Sequence, residues 1–327
     1  SYNEAGGITG KNQTATGTHT YNLDYTYSSS KKHRLTSITD NTSSTTTTFG
    51  YNAVGSLYKS TTGSTETRYV RNEDQSIKGA AVGGVPKAHY LYDHTGQRIM
   101  KGMIDHSSSG YNSQPSLGYY KADPYMVYVN GYFVTSQYNG TTFEGTRHYY
   151  MNGQRIASAV TYHTVSNLPE PSGTLGSEED LFQFMDSIVS PSSYDEDFIL
   201  SGSGLMMTST QYQDAKASAN CGGSAACLCA IDPYWASTLD GKNCSGLDAF
   251  YWYHPDYLGN TEYITDMNGE AYQYFWYSPW GESLVEQRNQ RSLFDAPYRF
   301  NGQEFDKETG NYYMSARYYD SHGSMWL

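Results

Sequence analysis

Short turn-forming sequences recur along this chain, each between stretches rich in aromatic and β-branched residues. Asn-Gly is the strongest two-residue signal for a β-hairpin. Such pairs occur at Asn130-Gly131, Asn152-Gly153, Asn268-Gly269 and Asn301-Gly302. Around these turns apolar and polar residues alternate, as a strand with one buried face requires. A lone hairpin buries too little to be stable, so several must pack together. The sequence therefore predicts a mainly β fold, a spiralling array of antiparallel hairpins.

Tyrosine is the residue that departs most from ordinary composition. The chain has 34 tyrosines among 327 residues, while its charged fraction is only 17%, against about 25% in an average protein. Tyrosine favours pleated, half-buried surfaces, where its ring packs and its hydroxyl stays wet or finds a partner. Cross-strand packing is the predicted role of these rings, and an aromatic platform for a ligand is the alternative.

The net charge of −12 and the pI near 5.1 limit the partners of the chain. An acidic surface repels phosphate backbones, so no nucleic-acid partner is predicted. No run of eighteen apolar residues occurs, so no membrane span is predicted either. The sequence has no initiator methionine and no signal peptide, and it opens within a repeat-like unit. We therefore expect a piece of a longer polypeptide.

Three parts are predicted along the chain. Residues 1–165 form hairpin repeats, residues 166–246 form a linker and an insertion, and residues 247–327 return to strands. A short helix is expected over residues 177–189, because Ser177 can cap it and acidic residues fill its first turn. The insertion is thus predicted to be partly helical and to pack on the β array.

The four cysteines, Cys221, Cys227, Cys229 and Cys244, all lie in the insertion. Two disulfides would hold together a loop-rich segment in an oxidising compartment. Cys227 and Cys229 are expected to have different partners, because cysteines so close in sequence bridge each other only with strain. A zinc site is an alternative, although the sequence offers no Cys-x2-Cys pair. Free thiols are the third possibility.

Residues 247–327 also carry several motifs in a fixed order. They are Tyr253-His254-Pro255-Asp256-Tyr257-Leu258-Gly259, Thr265-Asp266-Met267-Asn268-Gly269, Tyr277-Ser278-Pro279-Trp280-Gly281, Pro297-Tyr298-Arg299-Phe300-Asn301-Gly302-Gln303-Glu304 and Gly310-Asn311-Tyr312-Tyr313-Met314-Ser315-Ala316-Arg317-Tyr318-Tyr319-Asp320. This ordered set resembles the RHS repeat-associated core domain with YD (tyrosine–aspartate) repeats upstream. Residues 123–127 and 148–157 resemble segments of RHS proteins from Bacteroidetes-type bacteria. The residues that match the core motif are His254, Pro255, Asp256, Gly259, Asp266, Gly269, Pro279, Gly281, Tyr298, Phe300, Gly302, Gly310, Tyr312, Tyr313, Arg317, Tyr318, Tyr319 and Asp320.

The resemblance implies an architecture and a function. RHS and YD proteins, teneurins and toxin-complex shell proteins coil a β ribbon into a hollow shell, and the core domain plugs or lines one end. In many bacterial members a variable toxic segment follows the core and is held inside. The expected function is therefore a structural shell segment of a secreted or bacterial cell-surface protein. Its expected partners are the remaining YD repeats of the same polypeptide and a C-terminal payload or neighbouring copies.

Two other functions stay open. One is an extracellular structural or adhesive protein without cargo, similar to teneurins or wall-associated members, which could form filaments through exposed strand edges. The other is an enzyme, either a self-cleaving aspartyl protease that uses Asp256, Asp266, Asp306 or Asp320, or a carbohydrate-active protein. The cleavage motif of the family is absent, and Ser321 stands where the family has proline, so no catalytic role is carried onto these residues. We expect no enzyme activity, no cofactor and no metal site.

Overall fold

The computed structural model describes residues 1–4, 6–14, 20–103, 125–139, 142–164, 209–219, 221–244, 248–288 and 294–327. The helix predicted over residues 177–189 lies outside these ranges. Among the described residues, no helix has the length and apolar character needed to cross a membrane.

One antiparallel sheet of seventeen strands dominates the fold. Its strands are β1 Gly10–Gln13, β2 Tyr21–Tyr27, β3 Leu35–Asp40, β4 Thr45–Tyr51, β5 Leu57–Thr62, β6 Thr65–Arg71, β7 Ile77–Val82, β8 Val85–Tyr92, β9 Arg98–Met103, β10 Tyr125–Asn130, β11 Phe133–Asn139, β12 Thr142–Met151, β13 Gln154–Thr164, β14 Asp248–Pro255, β15 Thr261–Thr265, β16 Ala271–Tyr277 and β17 Ser283–Arg288. Each strand pairs with the next one along the chain, from β1 with β2 to β16 with β17. The predicted mainly β fold of antiparallel hairpins is confirmed. We call this sheet the wall.

Many turns of the wall share one hydrogen-bond pattern. In the turn between β14 and β15, Asp256 N donates to Asn260 O over 2.9 Å, and Gly259 N donates to Asp256 O over 3.1 Å. The Asp256 carboxylate also accepts the Asn260 N–H at 2.9 Å. Gly259 has a φ of 86°, a conformation that suits glycine. Turns at residues 52–56, 93–97 and 266–270 repeat the pattern with Asn or Asp first and Gly fourth.

Two of the predicted Asn-Gly turns differ in length. Asn152 and Gly153 both have positive φ, 51° and 79°, and they connect paired residues Met151 and Gln154 as a two-residue turn. The hairpin at Asn268-Gly269 is present, but its loop is longer than two residues. Thr265 pairs with Ala271, which leaves residues 266–270 in the turn. The reason is Asp266, whose side chain accepts backbone N–H groups and stabilises the longer loop.

A small helical insertion lies between β13 and β14. It contains α1 Ser209–Ala219, α2 Ala225–Ile231 and α3 Pro233–Asp240. Ser224 caps α2 by accepting the N–H of Cys227. Disulfides join Cys221 to Cys227 and Cys229 to Cys244. The predicted disulfides are confirmed, as is the expectation that Cys227 and Cys229 have different partners.

Loss of the Cys229–Cys244 disulfide is expected to weaken this insertion more than loss of the other one. The two bridges span 15 and 6 positions, which corresponds to about 3 and about 2 kcal/mol in the chain-entropy treatment of disulfides. Hydrogen exchange of the α1–α3 amides in C229S/C244S and C221S/C227S variants measures the difference. Equal protection in both variants would contradict the expected order.

A second, four-stranded sheet follows the wall. Its strands are β18 Glu304–Asp306, β19 Asn311–Tyr313, β20 Tyr318–Asp320 and β21 Met325–Trp326. We call residues 294–327 the plug. The domain boundaries inferred from the sequence stay predictions.

The plug packs on one face of the wall through aromatic side chains. Tyr318 joins a buried cluster with Leu57 and Tyr90 of the wall. Phe294 lies parallel to Tyr251 of β14, with ring centroids 4.0 Å apart. Because rings at both ends of the plug are buried in this way, the plug contacts early and late strands of the wall alike.

Candidate functional site

The two ends of the wall meet beside the plug. Lys11 of β1 lies 3.4 Å from the carboxylate of Glu282, the residue immediately before β17. The ammonium of Lys11 also donates to His322 O and Ser324 Oγ of the plug, both at 3.2 Å. Burial lowers the pKa of Lys11, while the nearby Glu282 partly offsets that effect. The two ends of the wall are therefore linked beside the plug by a side-chain contact between Lys11 and Glu282.

A buried cluster of charged side chains joins the plug to β9. Arg98 forms two ion pairs with the plug. Its Nη2 atom lies 2.7 Å from Glu304 Oε2, and its Nη1 atom lies 2.8 Å from Asp306 Oδ2. Lys101, three residues later on β9, contacts Glu304, Asp306 and Glu308 at 3.2, 3.0 and 3.3 Å. We call these five residues the ion cluster. Charges removed from water in this way are tolerated only when they are well paired.

The pKa values within the ion cluster reflect this pairing. Burial alone would raise the pKa of Glu304, but Arg98 and Lys101 outweigh burial and lower it to about 2. Burial alone would lower the pKa of Lys101, yet the charges of Asp306 and Glu304 raise it. For Glu308 burial prevails over Lys101, and its pKa is raised. Both cations and Glu304 thus stay ionised across the physiological pH range.

Tyrosine hydroxyl groups complete the ion cluster. Tyr128 of β10 donates to Glu304 Oε1 at 2.6 Å and accepts from Arg98 Nη2 at 2.9 Å. Tyr318 of the plug accepts from Arg98 Nη1 at 3.1 Å. The Arg98 guanidinium also lies 4.2 Å from the ring centroid of Tyr313. This arrangement fixes the plug against the wall in one position.

A second buried cation ties the plug to β17. The Arg299 guanidinium contacts Glu286 at 2.8 Å and Asp295 at 3.2 Å. It lies between the rings of Phe275 and Phe305, 4.8 Å from each centroid. Arginine suits such a site because its planar guanidinium can stack on aromatic rings and donate hydrogen bonds to carboxylates at the same time.

A buried histidine faces the plug from β12. His148 Nδ1 and Ser158 Oγ are 2.8 Å apart, and the imidazole meets the ring of Tyr298 edge-on at 5.0 Å. Burial lowers the pKa of His148 to about 3, and nearby Arg155 adds to the effect, while Glu304 opposes it. The neutral form is therefore the one that the folded protein accommodates.

Acid is expected to destabilise the folded chain through His148. Its pKa is about 6.5 in an unfolded chain and about 3 in the folded one, so the unfolded state binds the proton first. Stability present above pH 6.5 is lost as the pH falls toward 3. Urea denaturation of wild type and His148→Gln between pH 7 and pH 4 measures this loss. The variant is expected to show a shallower decline, and an identical slope in both proteins would contradict the assignment.

The residues of the core motif lie mostly in turns of the wall and in the plug. Asp256, Gly259, Asp266, Gly269, Pro279 and Gly281 belong to turns, with His254 and Pro255 at the end of β14. Tyr298, Phe300, Gly302, Gly310, Tyr312, Tyr313, Arg317, Tyr318, Tyr319 and Asp320 belong to the plug. The structure brings Tyr313 and Tyr318 to the ion cluster and leaves His254 exposed, next to Thr265. Within the described residues, no group of three His, Cys, Asp or Glu side chains is arranged to hold a metal ion.

The four aspartates considered for proteolysis each have structural partners. Asp256 and Asp266 accept backbone N–H groups in their turns. Asp320 accepts the N–H of Gly323 at 3.0 Å. Asp306 is buried between Arg98 and Lys101. These contacts explain all four residues as turn or ion-pair elements.

Sequence reasoning did not find the ion cluster. Arg98 and Lys101 lie in an N-terminal repeat whose sequence gives no sign of burial, and the sequence indicates Asp306 only as a protease candidate. One signal was present: residues 304–308 contain four charged side chains in a chain with few charges. Such a run is normally solvated, so it did not indicate burial.

All turns that follow even-numbered strands lie at one end of the wall, because successive strands are antiparallel. We call this end the mouth. The plug fills it by hydrogen bonding with the turns. Asn301 N donates to Asn260 Oδ1 at 2.8 Å, and the Tyr312 hydroxyl donates to Gly281 O at 3.1 Å. Cavities remain between the plug and the turns, one of them of about 1030 Å³. The geometry is that of a β wall with one end obstructed by the plug.

Comparisons with known proteins give partial likenesses. No family model matches the chain. A stretch of 77 residues is 32% identical to the tRNA3(Ser)-specific nuclease WapA of Bacillus spizizenii and to the tRNA nuclease WapA of Bacillus subtilis. The stretch is 24% of this chain and 3% of each of those proteins. The chain thus matches a very small part of these curated relatives.

Solved structures resemble the chain over its whole length. The crystal structure of TcdB2-TccC3 is similar with a TM-score of 0.34 and 11% identity. The Tc holotoxin pore of Photorhabdus luminescens is similar with a TM-score of 0.35 and 11% identity. All of this chain is covered in both cases, against 18% and 17% of those chains.

Proposed function

We propose that this chain is a structural shell segment of a secreted or surface RHS/YD-repeat protein and that it encloses or displays a C-terminal polypeptide. The observation that carries the proposal is the docking of the plug at the mouth, where Lys11 of β1 contacts both Glu282, next to β17, and the plug. A wall whose mouth is obstructed by the plug would separate what it holds from solvent. The chemistry of the proposed function is therefore containment.

Two further observations support this function. Paired cysteines are typical of proteins that work in oxidising surroundings, which fits a secreted or surface location. The WapA proteins that share a 77-residue stretch with this chain are named as tRNA nucleases. We propose that this chain carries such an enzyme-type payload and does not itself perform the reaction. The payload and the remaining YD repeats of the same polypeptide are its proposed partners.

We also propose that the chain is not a protease. Its four candidate aspartates have structural partners, and Asp306 is neutralised by two cations. Aspartyl proteases instead place two carboxylates together so that they share a proton. Single Asp→Asn variants at 256, 266, 306 and 320 test this point, because precursor cleavage should persist in all of them.

The adhesive alternative has one observation in its favour. Trp252 and Trp276 project from the wall with 43% and 58% of their surface exposed. Exposed aromatic side chains on a secreted wall could contact neighbouring copies or a cell surface. Electron microscopy of the native polypeptide separates the two functions, because closed capsules support containment and regular fibres support adhesion.

The decisive experiment uses the natural polypeptide with all sequence before and after this chain. After mild proteolysis, intact-mass analysis should find a protected fragment from beyond Leu327 that copurifies with the wall. The matched variant Arg98→Met should expose that fragment to protease, whereas Arg68→Met, which removes a surface ion pair with Glu66, should not. A fragment degraded equally in wild type and both variants would refute containment.

A further inference from the structure

One cavity at the mouth, beside Arg34, has a distinct chemical character. It holds about 1030 Å³ between the plug and the first turns of the wall. Aromatic rings from both sides face it. They include Tyr2, Tyr27, Tyr51, Trp280, Tyr319 and Trp326. Tyr2 is 65% exposed and Trp326 is 47% exposed, so rings at its edge are open to a ligand. Tyrosine and tryptophan at such positions favour partners with apolar and planar groups.

The cavity is also basic, although the chain is acidic. Lys31, His33 and Arg34, from the turn between β2 and β3, line it, and its described lining contains neither Asp nor Glu. None of the three makes an ion pair with a described residue, whereas Lys11, Arg98 and Lys101 are all paired within the fold. The Arg34 guanidinium lies 4.9 Å from the Tyr51 ring centroid, which holds it at the cavity. Unpaired cations next to open rings complement an anionic ligand.

A neighbouring cavity at the mouth shows that this character is local. That space, of about 700 Å³, is lined by Arg98 and Arg155 but also by Asp93 and Glu304. Mixed charges give it no preference for either sign. Positive charge without a carboxylate is thus a property of the cavity beside Arg34.

We propose that the cavity beside Arg34 binds an acidic polypeptide segment that also carries aromatic side chains. Carboxylates of the segment pair with Lys31 and Arg34, and its rings pack against Tyr2 and Trp326. A nucleic acid would satisfy the same groups, but an extended polyanion is repelled by a chain of net charge −12. A peptide brings only a few charges between apolar groups, which matches a lining of many rings and three basic residues. This binding activity is additional to containment and does not depend on it.

A short, fluorescein-labelled copolymer of alternating glutamate and tyrosine, which carries only a few charges, is a suitable probe for the 327-residue chain. Fluorescence anisotropy should show saturable binding that weakens as salt is raised. The double variant K31E/R34E lies in an exposed turn and should weaken binding by about tenfold or more, since two attractive charges become repulsive. Lys242→Glu, in the helical insertion away from the cavity, is a control for a single charge reversal and should change affinity by less than about twofold.

The aromatic contribution has its own pair of variants. Trp326→Ala removes a ring of the cavity and should weaken binding by about threefold to tenfold. Trp276→Ala removes a ring that is more exposed than Trp326 but lies on the wall, outside the lining of the cavity, and should leave binding unchanged. Circular dichroism confirms that each variant is folded.

Three results would overturn the proposal. The first is the absence of saturable binding by the copolymer. The second is equal binding of polyglutamate or equal binding by K31E/R34E, which would show that the rings or the cations are not used. The third is tighter binding of a single-stranded oligothymidylate than of the copolymer, which would assign the cavity to nucleic acid.

Discussion

Replacing Arg98 with methionine is expected to lower the free energy of unfolding by about 3–5 kcal/mol, the usual effect of breaking a buried ion pair from one side. Arg98 neutralises Glu304 and Asp306, both of which are buried. Methionine fills much of the space but leaves Lys101 alone with three carboxylates. Urea denaturation followed by tyrosine and tryptophan fluorescence measures the loss.

The control for this prediction is a surface arginine on the same wall. Arg68 of β6 pairs with Glu66, and the Arg68 side chain is half exposed. Arg68→Met should cost less than about 1 kcal/mol, because exposed ion pairs contribute little. Similar losses in the two variants would mean that the ion cluster does not hold the plug in place.

Replacing Gly281 with alanine is expected to cost about 3 kcal/mol or more. Gly281 has a φ of 83°, where an alanine is strained by about 1–2 kcal/mol. A β-carbon there would also lie 2.6 Å from Cγ of Phe300 in the plug. Forcing the ring away adds about 1–3 kcal/mol of overpacking. Thermal or chemical denaturation gives the total, and susceptibility of the plug to protease reports where the damage lies.

Gly269 distinguishes the cost of backbone strain from the cost of displacing the Phe300 ring. It occupies the equivalent turn position with a φ of 76°, but a β-carbon on it would meet nothing within 4 Å. Gly269→Ala should therefore show only the backbone strain of about 1–2 kcal/mol. If both alanines cost the same, close packing of Phe300 against Gly281 is not important.

The fold class could be predicted because its determinants are local. Aromatic and β-branched alternation defines each strand, and the short turn sequences define where the chain reverses. Turn length was less predictable. Asn152-Gly153 forms a two-residue turn, whereas Asp266 extends the turn that contains Asn268-Gly269. The difference depends on the residue two positions earlier, which a dipeptide signal does not consider.

The ion cluster could not be predicted because its partners are far apart in sequence. Arg98 and Asp306 are separated by 208 positions, and nothing in either local sequence specifies the other. A charged residue on a strand is usually solvated, and the burial of Arg98 comes from plug residues that are distant in sequence. The cysteine pairing was more tractable, since the short spacing between Cys227 and Cys229 disfavours a bond between them.

The separation of Arg98 from Asp306 has a consequence for biosynthesis. Hairpins between neighbouring strands can form one after another as the nascent chain leaves the ribosome. Arg98 and Lys101, however, must remain hydrated until some two hundred further residues have been translated. A prematurely terminated product would lack the plug. It would expose these cations, and the buried cluster that contains Leu57 and Tyr90, to chaperones and cellular proteases. Quality control could therefore distinguish finished molecules from incomplete ones by this single late docking event.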